Sequence, residues 1–151
     1  MNSKDRLYIA YGSNLNLEQM SRRCPTAKVV GAAELKDWRL WFRGGTHSAV
    51  ATIERERGFT VPVLVWRIQP RDELALDRYE GFPFLYRKEI LQLAVNGRQV
   101  SAMAYIMNEA GQPYGIPYAG YLSIVRKGYE SANFDTSILY DAVDRSREAA
   151  K

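Results

Sequence analysis

The chain has one cysteine, Cys24, and one histidine, His47, among its 151 residues. A single cysteine cannot form an intrachain disulfide, which fits a reducing compartment, so a cytoplasmic location is expected. One histidine and one cysteine cannot supply the usual tetrahedral zinc sets, and no metal is expected. A Ser-His-Asp or Cys-His site would have to be built on His47. That residue lies in Gly44-Gly45-Thr46-His47-Ser48, without a nucleophile signature, and reads as a loop histidine. No Gly-x-x-x-x-Gly-Lys-Ser/Thr loop and no Gly-x-Gly-x-x-Gly fingerprint occurs, so no nucleotide cofactor is expected. No window approaches the roughly 18 apolar residues that span a bilayer. The first apolar run, of about five or six residues, is too short for the core of a signal peptide. Repeats, low-complexity tracts and linkers are absent as well.

What is present fits one domain over residues 1–151. Apolar residues make up 46% and charged residues 25%, ordinary values for a globular protein able to bury a core without metals or disulfides. Net charge is +4. The basic residues are scattered and cluster no more densely than adjacent pairs such as Arg22-Arg23. A continuous basic stripe is missing, so the charge reads as a solvated surface and nucleic acid is not an expected partner. A monomer or weak homodimer is expected.

Leu7 to Tyr11 reads as a short buried strand followed by Gly12. Ser13 to Asn16 turns into a helix that ends before Pro25, with Asn14 or Asn16 as its cap and Gln19 placed as in a capping box. Strands are predicted over 28–35, 38–42, 49–54 and 60–68, with both faces of 38–42 covered. Pro62 marks an edge or a strand start in the last of them. Pro70 to Tyr79 reads as a helix closed by Gly81. Strands over 86–95 and 99–107 flank Asn96-Gly97, a type I′ hairpin turn. Residues 108–117 read as a loop. A helix follows from Tyr118 to Lys127 with Gly128 as its C-cap, and a last helix runs from Asp135 to about Glu148. The sum is an α+β domain with an antiparallel-rich sheet, able to close into a barrel, and a few helices at its rim.

Two features carry chemistry. In Gly12-Ser13-Asn14-Leu15 a strand passes into a helix start. Gly12 permits close approach to the backbone, and the exposed N–H groups favour an anion such as a free α-carboxylate, with Ser13 and Asn14 adding side-chain donors. The same turn also fits plain helix capping. In Asp77-Arg78-Tyr79-Glu80-Gly81, the carboxyl of Glu80 ends a helix, where the dipole and any burial raise its pKa toward neutrality. That suits a general acid/base. By position alone a solvated surface acid fits Glu80 better, since most glutamates are solvated.

Three blocks together resemble the γ-glutamylcyclotransferase-like family, which includes γ-glutamylamine cyclotransferases and AIG2-like proteins. They are Tyr8-Ile9-Ala10-Tyr11-Gly12-Ser13-Asn14-Leu15, Leu76 through Arg87, and Tyr121 through Gly128, and they span nearly the whole chain. The resemblance implies a small, mixed, mostly antiparallel β-barrel flanked by helices, with a pocket at the barrel mouth. It implies that Gly12, Ser13, Asn14 and Leu15 hold a γ-glutamyl α-carboxylate and that Glu80 is the acid/base. It also implies that Tyr86 lines the pocket, that Tyr121 hydrogen-bonds the substrate or Glu80, and that Tyr11 packs under the cradle. The chain departs from the family in Pro117-Tyr118-Ala119-Gly120-Tyr121, where Tyr118 replaces a serine, and this bears on the leaving group.

The chemistry so implied is intramolecular. The substrate's α-amine attacks its own γ-carbonyl, 5-oxoproline forms, and an amine leaves without metal, cofactor or covalent intermediate. Three other readings use the same residues: a non-catalytic binder of a small metabolite, a nucleic-acid-associated protein, and a deacylase with Ser13 as nucleophile but no evident base.

Overall fold

A computed structural model of the chain describes residues 4–151. The leader reading rests partly on residues 1–3, which lie outside the described residues. The strands are β1 (Arg6–Ala10), β2 (Lys28–Arg43), β3 (Val50–Ile68), β4 (Tyr86–Val95) and β5 (Arg98–Met107). The helices are α1 (Leu17–Arg23), α2 (Pro70–Glu80), α3 (Ala119–Ser131) and α4 (Thr136–Ala149), and a 3-10 turn spans Ser13–Leu15.

The strands close into a barrel in the order β1-β3-β2-β4-β5. All pairings are antiparallel except the closing one, β1 with β5, where Tyr8 lies opposite Met103 in parallel. The barrel is therefore mixed and mostly antiparallel. Its interior is filled by buried side chains such as Ile9, Ile53, Val63, Val65 and Met103. The closing contacts are narrow: β2 meets β4 at Ala33 and Val95, and β1 meets β5 at Tyr8 and Met103. No helix among the described residues is long and apolar enough to cross a membrane.

The turn chemistry follows the local sequence. Asn96 and Gly97 take φ of 52° and 76° at the β4–β5 hairpin, the left-handed values a type I′ turn requires. Gly81 closes α2 at φ 65°, Asn16 accepts from Gln19 N–H at the start of α1, and Asp135 accepts from Ser137 N–H at the start of α4.

Three expectations need correction. The four predicted strands over 28–68 are two long ones. The stretch Arg55 to Phe59, left between two predicted strands, continues β3, because cross-strand ion pairs replace apolar alternation there. Arg39 meets Glu56 at 2.7 Å and Arg43 meets Glu54 at 2.8 Å. A register shift between Lys36 and Trp38 absorbs the irregularity, and Gly58 N–H donates to Asp37 Oδ1 beside it. Pro62 sits inside β3, opposite Glu34. It is tolerated because β1 has already ended at Ala10, opposite Leu64, so the ladder on that side is finished. Gly128 is not a C-cap: α3 runs on to Ser131 and Gly128 is buried within it. The expected double cover of 38–42 is present. Trp38, Leu40 and Phe42 are buried, while α4 covers the other side, with Arg145 stacked 4.7 Å from the Trp41 ring and Ser146 Oγ accepting from Phe42 N–H.

Candidate active site

A cavity of about 270 Å³ opens at the barrel end where β1 and β5 finish and β3 and β4 begin. That size suits a small metabolite. Tyr11, Gly12, Ser13, Asn14, Glu80, Tyr86 and Tyr121 all line it, although they come from widely separated parts of the chain. Leu15 does not. Its side chain is fully buried in the core, and its N–H is spent on Gly12 carbonyl oxygen. Leu15 thus anchors the turn from behind and does not face a ligand. His47 lies exposed in the loop before β3, away from the cavity lining.

The turn is built for close approach on two sides. A Cβ on Gly12 would stand 3.0 Å from Ala51 Cβ and 3.4 Å from Tyr121 Oη. From behind, α3 presses Gly128 onto the turn, where a Cβ would stand 2.6 Å from Leu15 Cβ and 2.8 Å from Leu15 carbonyl carbon. Contact that tight explains a glycine inside a helix. Gly128→Ala is expected to destabilise the protein by about 2 kcal/mol despite alanine's better helix propensity. Urea denaturation would check this, and a stabilised variant would show that the helix does not bear on the turn.

Within the turn, Leu15 and Asn16 N–H groups bond back to Gly12 and Ser13 carbonyls. The N–H groups of Ser13 and Asn14 begin the 3-10 turn and have no partner inside it, as at any helix start. They border the cavity and form its anion-seeking side. The side chains of this pair act differently from the sequence expectation. Asn14 is buried and its amide is engaged at both ends: Nδ2 donates to Tyr8 Oη at 2.9 Å, and Oδ1 accepts from Arg23. It braces the turn, with one Nδ2 hydrogen not spent on these contacts. Ser13 Oγ pairs with Tyr79 Oη at 2.7 Å.

Across the cavity stands Glu80, the last residue of α2. It makes no hydrogen bond among the described residues and is the only charged side chain in the lining. Burial pushes its carboxyl up to about 7, and the positive charge of Arg23 opposes the rise. Seven of the ten tyrosines surround it, so the walls offer hydroxyl groups without adding charge. Two are pinned to the same residue of β3, Ala51. Tyr121 Oη accepts from Ala51 N–H at 3.0 Å, and Tyr86 Oη donates to Ala51 carbonyl at 2.6 Å. Tyr11 Oη donates to Tyr105 carbonyl at 2.5 Å from below the turn. Burial holds the Tyr11, Tyr86 and Tyr121 hydroxyls above the ordinary tyrosine range, with the charge of Glu80 adding to the effect. All three remain protonated. The Tyr121 oxygen already accepts from a backbone N–H, which leaves its proton for a ligand oxygen or for Glu80.

Arg23 is the site residue that the sequence reading passed over as half of a basic surface pair. Its guanidinium stacks 3.4 Å over the Tyr79 ring and bonds Asn14 and Gln19. It ties the turn to the end of α2, one residue before Glu80. Helical spacing separates it from its neighbour, since Arg22 pairs with Glu18 on the exposed face of α1 while Arg23 pairs with Gln19 on the inner one.

Residues 8–123 match the family model described as gamma-glutamyl cyclotransferase, AIG2-like. A human protein named gamma-glutamylcyclotransferase is 32% identical over 110 residues, covering 67% of this chain and 58% of that relative. The match therefore spans little more than half of the relative's length. A solved gamma-glutamyl cyclotransferase structure superposes with a TM-score of 0.81 at 26% identity, covering 91% of this chain and 86% of the other. YkqA from Bacillus subtilis superposes with a TM-score of 0.76 at 20% identity, covering 98% of this chain and 56% of the other, a likeness of fold.

Proposed function

This chain belongs to the gamma-glutamyl cyclotransferase, AIG2-like family, and from that premise we propose that it is an enzyme releasing 5-oxoproline from a small γ-glutamyl compound. The observation that carries the proposal is a lone carboxyl, pushed up to about 7, facing the unpaired N–H groups of Ser13 and Asn14 across one small cavity.

In this reading the substrate's α-carboxylate rests on the turn N–H groups, where the partial positive charge of the helix start favours it. The α-ammonium lies toward Glu80. The folded conformer is then held with the amine near the γ-carbonyl, which removes most of the entropic barrier to ring closure. Glu80 takes a proton from the α-ammonium. The amine nitrogen forms a bond to the γ-carbon, the bond from that carbon to the leaving nitrogen breaks, and Glu80 returns the proton to the leaving nitrogen; the second proton that the attacking nitrogen sheds on becoming the lactam N–H follows by the same carboxyl, so the leaving amine departs as an ammonium. Atoms and charge balance without water. The free proton of Tyr121 suits the oxygen that becomes negative as the carbon turns tetrahedral.

The test is a panel of γ-glutamyl donors (amino acids, a lysine ε-amine conjugate, a dipeptide) incubated with the purified protein and assayed for 5-oxoproline. Release from at least one donor is expected. Tight binding of γ-glutamyl compounds without release would replace the enzyme reading by a metabolite-binding one.

A further inference from the structure

The cyclotransferase reading accounts for the inner half of the cavity and leaves its mouth unexplained. Tyr118 lines that cavity yet is 56% exposed. Among the described residues its hydroxyl has no hydrogen-bond partner. Tyr79 also lines the cavity at 44% exposure. Both rings therefore stand half in the cavity and half in solvent, at its rim.

The position of Tyr118 has a structural cause. It is the N-cap residue of α3, and its ring lies over Gly120. A Cβ on Gly120 would stand 2.8 Å from Tyr118 Cε2 and 3.4 Å from Cδ2. Glycine is among the weakest helix formers, and Gly120 sits in the first turn of α3 without a left-handed φ to justify it. Room for the ring does justify it. The ring is further set against Tyr121, 6.3 Å between centroids at a 44° tilt.

The cavity lining also offers no cation. Glu80 is the only charged residue in it among the described residues, and the guanidinium of Arg23 is held against one face of Tyr79 and bonded to Asn14 and Gln19. A leaving group that depends on its own negative charge finds no cation in the lining, whereas a flat apolar one finds the ring of Tyr118.

Resting on the cyclotransferase reading, we infer that Tyr118 is the specificity-determining residue for the leaving group and selects γ-glutamyl donors whose leaving amine carries an aromatic side chain. The experiment compares kcat/KM for γ-glutamyl-phenylalanine and γ-glutamyl-alanine. An aromatic pair at a half-exposed site supports a preference of about three- to tenfold for the phenylalanine donor. Tyr118→Ser should bring the ratio close to one, and Tyr118→Phe should keep it. Gly120→Ala leaves every ring in the sequence and improves helix propensity, yet it should lower the ratio by pushing the Tyr118 ring off its seat. A parent without preference, or a ratio unchanged in Tyr118→Ser, overturns the inference while the cyclotransferase reading stands. Release of 5-oxoproline from no donor of the panel overturns both.

Discussion

Replacing Glu80 with Gln is expected to lower 5-oxoproline release by about a hundredfold or more while the barrel stays folded, since that is the usual worth of a positioned acid/base. The carboxyl contributes no hydrogen bond to the fold among the described residues, so its loss removes chemistry and not structure. Release at the parental rate by Glu80→Gln would sink the assignment. The same group sets a pH dependence. A base must be ionised to accept the ammonium proton, so kcat/KM should fall as pH drops through about 7, and this limb reports the free enzyme.

Stability runs the other way. The folded-state value of about 7 stands above the ordinary 4.5, so between these values the native state binds more protons than the unfolded chain. Stability therefore declines as pH rises across that window, and the cost of the ionised, partly buried carboxylate is complete above it. Glu80→Gln removes the cost. The variant should match the parent near pH 4.5 and exceed it at pH 8 by about 2 kcal/mol, a value already discounted for the solvent that reaches the cavity. Denaturant curves at the two pH values check this. A variant that is both inactive and more stable at pH 8 is what a destabilised functional carboxyl predicts.

Gly12→Val is expected to cost at least tenfold in affinity for γ-glutamyl compounds with only a modest change in melting temperature. Its first added carbon already presses on Ala51 Cβ at 3.0 Å and on Tyr121 Oη at 3.4 Å. The two further methyl groups crowd the space between the turn and the tyrosines that would receive the ligand. Overpacking of this kind typically costs about 1–3 kcal/mol, and here it falls on the cavity floor. Calorimetric titration with a donor, done in the inactive Glu80→Gln background, separates binding from turnover. Unchanged affinity would mean that the anion-seeking turn is not where the ligand sits.

Much of this protein is legible from sequence because the signals are local. Asn96-Gly97 must take left-handed φ values, Gly81 must close a helix, and Asn16 with Gln19 must open one, whatever surrounds them. The α+β class follows from such signals. The likeness of three separated blocks to one family adds the closed barrel and the grouping of Tyr11 to Asn14 with Glu80, Tyr86 and Tyr121, all of which border one cavity. The failures are equally physical. The stretch Arg55 to Phe59 in β3 is left between two predicted strands because strand support around it comes from ion pairs with β2, and a cross-strand partner is invisible along one chain. The side chains of Leu15 and Asn14 look free for a ligand because the motif contains them, but packing makes one a core anchor and the other a brace between Tyr8 and Arg23, which leaves the Asn14 backbone N–H at the cavity.

The chain by itself determined which residues could do chemistry: one carboxyl at a helix end, one glycine turn, and few rival nucleophiles or ligands. Only the tertiary structure decided their state. Burial among seven tyrosines pushes Glu80 up to about 7, Gly128 lets α3 press on the turn, and Arg23 is turned inward from the surface to join the two. The reason is that desolvation and close packing depend on neighbours brought from 40 to 100 residues away, such as Ala51 against Tyr121 and Tyr11 against Tyr105, and no local pattern records such distances.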